Sequence, residues 1–161
     1  MSKYGCITGV HRSIEMPVAA SQKFNRTGGA FVIQDSAGNI RLALTADATI
    51  CGFAIVPLGI GSGLGTDAAV WQSSATAGAD RLPVIVNLSA EFLVPADDTV
   101  TQAMCGDGCD LIGVNDGTKQ TADVGTGAND VLLVEKLGTA AGGSITDVVV
   151  RMNPSKMQIA N

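Results

Sequence analysis

The chain has 161 residues, 46% of them hydrophobic and 16% charged, with a formal net charge of −5. One domain is expected at that length, able to bury about two-thirds of its unfolded surface, and so apolar a chain is not disordered throughout. The acidity argues against general affinity for nucleic acid or anionic membranes, while 20 glycines and only 4% aromatic residues suit a small, turn-rich β protein.

Residues 1–28 stand apart. Lys3, Arg12, Lys23 and Arg26 face Glu15 alone, a balance of +3, whereas residues 29–150 carry −10 and residues 151–161 carry +2. This first segment shows no sustained periodicity, holds Tyr4 and Phe24, and stops at Gly28-Gly29. Two readings fit it: an extended arm that leaves the domain and docks on a partner, or an edge strand with a frayed terminus. No apolar core of signal-peptide length precedes His11 and Arg12, so a soluble, non-exported chain is expected. A short helix over Val18 to Phe24 is one option within the segment.

The body reads as strands. Phe31 and Ile33, then Ile40, Leu42 and Leu44, alternate with smaller or polar residues around Asp35-Ser36-Ala37-Gly38-Asn39, which predicts a hairpin. Ile50 to Val56 is apolar on both faces, as a central strand is. It opens the long uncharged stretch Ala48 to Thr66, whose Pro57 and five glycines make a poor membrane helix, so a buried strand and a Gly loop are expected. Leu82 to Val94 holds one or two strands, with a break near Asn87-Leu88-Ser89-Ala90 and Pro83 marking a strand start or edge. Asp97 or Asp98 can cap a short helix that Gly106 stops. Asp110 to Val114 and Thr118 to Val124 flank Asn115-Asp116-Gly117 as a second hairpin. Val131 to Leu137 and Thr146 to Met152 close the domain, the latter with Asp147, Val149 and Arg151 outward. The expected fold is mostly β: a single compact barrel or sandwich over 29–152, an extended arm at 1–28, a tail at 153–161, and at most one or two short helices.

Chemistry is harder to find. His11 is the one histidine, and no nucleophile is fixed beside it. Gly59-Ile60-Gly61-Ser62-Gly63-Leu64-Gly65 fails the phosphate-loop test, with Leu64 at the sixth position of its frame and no Gly-Lys-Ser/Thr after it. Cys105 and Cys109 lack two further ligands for zinc, so free thiols are expected. Asp107, Asp110, Asp116 and Asp123 lack calcium-loop spacing and suit turns. No catalytic residue, cofactor or metal is therefore nominated.

One segment has a familiar order. Ala79-Asp80-Arg81-Leu82-Pro83-Val84-Ile85-Val86 leads to Glu91-Phe92-Leu93-Val94-Pro95-Ala96, then to Met104-Cys105-Gly106-Asp107-Gly108-Cys109-Asp110-Leu111. Gly113 to Val124 and Asp130-Val131-Leu132-Leu133-Val134 follow. Residues 79–137 resemble the capsid decoration, or cement, proteins of tailed bacteriophages. The resemblance implies a compact β domain made in the host cytoplasm and carried on the capsid exterior. Its partners would be the major capsid protein and further copies of itself, as a homotrimer or, alternatively, a homodimer, without catalysis, nucleic acid or membrane. Tyr4, Arg12, Phe24 and Arg26 are the residue types that anchor interfaces, and Trp71 beside the Gly loop is a fifth candidate. The alternative function is a β-barrel module that binds a receptor or carbohydrate through Trp71 and the Gly loop.

Overall fold

The computed structural model describes residues 5–7, 12–57, 69–125, 127–138 and 146–158. The strands among them are β1 (Gly5–Cys6), β2 (Ser13–Pro17), β3 (Lys23–Asn25), β4 (Ala30–Gln34), β5 (Ile40–Leu42), β6 (Gly52–Ala54) and β7 (Val70–Gln72), followed by β8 (Arg81–Ile85), β9 (Phe92–Pro95), β10 (Gly108–Ile112), β11 (Thr121–Asp123), β12 (Leu132–Leu137) and β13 (Asp147–Met152). They form a six-stranded sheet in the order β1-β9-β13-β12-β10-β11, a five-stranded sheet in the order β2-β8-β6-β4-β5, and a β3-β7 ribbon. All pairings within these sheets are antiparallel. The architecture is a sandwich and not a closed barrel.

The five-stranded sheet is buried on both faces, which explains its unbroken apolar runs. Along β4, Phe31 and Ile33 point into a core shared with the six-stranded sheet, and Ala30 and Val32 point into a second core. Phe31, Phe53 and Phe92 meet at the centre of the first core, with ring centroids 4.7–5.2 Å apart. Such aromatic pairs add about 0.5–1.5 kcal/mol each beyond their buried area. Phe24 and Trp71 cover the second core from the β3-β7 ribbon, 5.7 Å apart.

Both predicted hairpins form. β4 pairs with β5 around a turn in which the Asp35 carboxylate accepts the N–H groups of Ala37 and Asn39. β10 pairs with β11, but the loop runs from Gly113 to Gln120 because its tip folds back onto the ribbon. There Asn115 accepts the Lys23 N–H and the Gly117 carbonyl accepts from the Asn25 amide. β6 is the central strand of its sheet, as its two-faced apolarity predicts, and β8 and β9 divide at the expected break.

Several expectations give way. The described part of the first 28 residues is no arm: β1 and β2 are edge strands paired to β9 and β8, and β3 pairs with β7, so the edge-strand reading holds. No helix spans Val18 to Phe24, because Ser21 takes a φ of +53° and β3 begins at Lys23. The helix expected after Asp97 or Asp98 shrinks to one 3-10 turn, Gln102–Met104: the Asp97 carboxylate accepts the distant Val124 N–H and the Asp98 carboxylate the adjacent Thr99 N–H, so neither caps it. Val149 is buried, not outward, because β13 lies inside the six-stranded sheet with Val149 between Leu93 and Lys136 of the neighbouring strands.

Pro83 lies between two neighbours rather than at an edge strand. Its carbonyl accepts the Ile55 N–H at 2.9 Å, but it has no N–H to return, and the β6-β8 ladder stops there. The described tail also folds back, the Ile50 N–H donating to the Lys156 carbonyl and the Gln158 N–H to the Ile50 carbonyl. Among the described residues no helix is long and apolar enough to cross a membrane.

Candidate functional site

The sequence nominates five contact residues, and the fold separates them. Phe24 alternates with Lys23 and Asn25 along β3, and its inward position leaves it fully buried against Trp71, its cross-strand partner. Trp71 is only 1% exposed. Neither ring is presented to a partner, because together they roof the second core. Arg12 is exposed one residue before β2, and Tyr4 lies outside the described residues. Arg26 follows β3 and lines a cleft.

That cleft has a volume of about 480 Å³ and is walled by Cys6, Arg26, Thr27, Gly28, Gly29, Phe53, Ile55 and Val56. It lies where β1, the turn after β3 and the end of β6 converge. Asn25 builds the turn, accepting from the Thr27 N–H and hydroxyl while donating its own amide to Gly117. Gly29 closes the turn at a φ of +87°, so near the next strand that a Cβ would lie 2.1 Å from the Ala54 carbonyl oxygen. Gly28-Gly29 therefore marks a close backbone approach instead of the end of an arm. Phe53, Ile55 and Val56 supply an apolar wall, Arg26 the positive charge and Cys6 a partly exposed thiol. Such a lining suits contact with an apolar side chain or an acidic group.

All four cysteines are free thiols. Cys109 is fully buried, and desolvation, then Asp110, Asp130, Asp123 and Asp97, pushes its thiol up to about 12. Burial also raises the Cys51 thiol. The expected place of the aspartates in turns holds for Asp116, whereas Asp110 and Asp123 lie in β10 and β11. Asp110 accepts the backbone N–H groups of Ala128, Asn129 and Asp130, and Asp116 accepts the Thr118 hydroxyl and N–H, which keeps the Asp116 carboxyl below its ordinary range. Among the described residues no three His, Cys, Asp or Glu side chains group as metal ligands. His11 and Gly59–Gly65 lie outside the described residues.

Sequence reasoning did not single out Cys6, Thr27, Phe53, Ile55 or Val56. The paired glycines were the available signal, since they are the residues that let a backbone come this close. Compared with protein-family models, with curated proteins and with solved structures, the chain matches none.

Proposed function

We propose that this protein is a capsid decoration subunit of a tailed-bacteriophage virion. It binds the outer surface of the assembled head and stabilises it by bridging major capsid protein subunits. The observation that carries the reading is the course of the segment with the cement-protein order, residues 79–137. It supplies β8 to one sheet and β9, β10, β11 and β12 to the other, so the part that resembles cement proteins frames both layers. A rigid sandwich of this kind opposes separation of neighbouring shell subunits by burying surface across them, an effect multiplied over many copies. Arg12 and the Arg26 cleft are the contact features on this reading, set against an acidic body.

Removing residues 1–28 is no clean test of docking, because it strips β2 and β3 from the sheets. Point variants avoid that. Heads lacking the protein are mixed with wild type, Arg12→Glu or Arg26→Ala, sedimented, imaged by electron microscopy and heated. Wild type is expected to pellet with heads, add ordered density to their exterior and raise the temperature at which they break, with both variants weaker. Wild-type protein that neither pellets with heads nor adds density would end the proposal. A carbohydrate-binding module needs an exposed ring beside the sugar, and Trp71 is buried. A glycan screen is expected to return no binding.

A further inference from the structure

The four edges of the two large sheets are not alike. At β5 the Ala19 N–H donates to the Ile40 carbonyl, and the Leu42 N–H is taken by the Gln22 side chain. At β11 the Asp97 N–H donates to the Ala122 carbonyl. β1 is only two residues long, Gly5 and Cys6, too short a row to seat a partner strand. β2, five residues long, has no strand or loop along its outer side among the described residues.

Register shows which groups of β2 face out. The Pro83 carbonyl points to β6, so in β8 the odd residues face β6 and the even ones face β2. Ile14 opposite Val84 and Met16 opposite Leu82 are then the hydrogen-bonded pairs, which leaves the N–H and carbonyl of Ser13 and Glu15 directed outward. The Arg81 guanidinium donating to the Glu15 carbonyl at 2.9 Å agrees, since it reaches that oxygen from the open side. Pro17 ends the outward row without a donor.

We infer that the β2 edge pairs antiparallel with β2 of a second copy of this chain, with Ile14 on the twofold axis. In that register Ser13 of each copy faces Glu15 of the other, and each such pair exchanges two main-chain hydrogen bonds, four in all. The Glu15 carbonyl accepts the new bond through the lone pair that Arg81 leaves free. On one face the Ser13 hydroxyl meets the other copy's Glu15 carboxylate. On the other, Ile14 meets Ile14 beside the second core, against which it already packs. A register centred on Glu15 would set two carboxylates opposite each other, which like charge disfavours. The partner is thus a second copy because the strand complements itself in one register, and the result is an isologous dimer joining two five-stranded sheets.

Four main-chain bonds make a weak dimer, one that matters where copies are held side by side. Sedimentation equilibrium of the purified full chain, across a concentration series, is expected to show a reversible monomer–dimer equilibrium. Glu15→Pro removes an outward donor and no bond to β8, so it should keep the thermal unfolding of the monomer and weaken the dimer by roughly tenfold or more. Register is read separately. Non-hydrogen-bonded antiparallel pairs sit about 4.5 Å apart at Cα, within disulfide reach. In a Cys6→Ser, Cys105→Ser background, Ile14→Cys should therefore give a covalent dimer on oxidation and Glu15→Cys should not. A wild-type chain monomeric at every concentration, a dimer indifferent to Glu15→Pro, or crosslinking through residue 15 but not 14 overturns the inference. The protein is measured alone, so that failure leaves the capsid reading standing.

Discussion

Gln120 is a polar side chain, 1% exposed, with each of its amide hydrogens and its oxygen in use. Its oxygen accepts the Phe31 N–H at 2.7 Å, and its nitrogen donates to the Phe31 and Ala43 carbonyls. It thus finishes the β4 backbone just past the end of β5 and ties the six-stranded sheet's loop to the five-stranded sheet. Gln120→Ala leaves the Phe31 N–H and the Ala43 carbonyl buried without that partner, each costing about 1–3 kcal/mol, and should lower the urea midpoint accordingly. Gln120→Glu keeps the acceptor but turns a second oxygen toward two carbonyls, so only its protonated form fits. That variant's folded pKa is raised, and its stability should be highest in acid and fall as pH rises, a trend a pH series of unfolding curves would show. Cys109 behaves alike in the wild type. Its thiol ionises near its ordinary 9.0 in the unfolded chain and near 12 in the folded one. Its contribution is therefore intact below pH 9.0 and is lost as pH climbs toward 12. Maleimide labelling with mass spectrometry at neutral pH should modify Cys6 and Cys105 and spare Cys109 until the protein unfolds.

At the scale of elements, the turn after β3 is the most constrained piece. Gly29→Ala meets the Ala54 carbonyl oxygen at 2.1 Å and places a side chain at a φ of +87°, so the turn must shift or open. A loss of several kcal/mol is expected in denaturant unfolding, against little change for Gly106→Ala beyond its left-handed φ cost, since nothing lies within 4 Å of that position. Where the local pattern and the turn chemistry agreed, the chain could be read from residues alone: β4-β5 around Asp35 and Gly38, β10-β11 around Asp116-Gly117, and the two-faced β6. The β3-β7 ribbon was illegible because each strand has three residues, too short for a period, and its partner lies far along the chain. The same ribbon buries Phe24 and Trp71, so scarcity of aromatics led toward surface contacts when these rings were the roof of a core. The cleft was half legible: Arg26 and the glycines stood out, whereas Phe53, Ile55 and Val56 read as ordinary strand residues. Val149 shows the limit of alternation, since two charged neighbours on one face say nothing about the strands beside it.

For the whole molecule, the uneven charge survives as a surface property, but both described ends belong to the body. β2 covers the flank of β8, and the tail crosses back to Ile50, where the Gln158 side chain pairs with the backbone of Gln34 through bonds of 2.7 and 3.2 Å. A chain begun at residue 18 loses β1, β2 and the buried Met16 and is expected to be unfolded or aggregated by circular dichroism and size exclusion.

The order of the larger sheet has a consequence for how the molecule comes into being. β13 is the last of the described strands, yet it sits in the interior, between β9 and β12, and without it those two strands lose their shared partner, leaving β9 tied to the rest of the sheet through the Asp97 N–H and the Ala122 carbonyl. Synthesis must therefore pass residue 152 before that layer can zip together. Until then the emerging polypeptide carries two unfinished strand borders, on β9 and β12, so this layer closes late and through contacts distant in sequence.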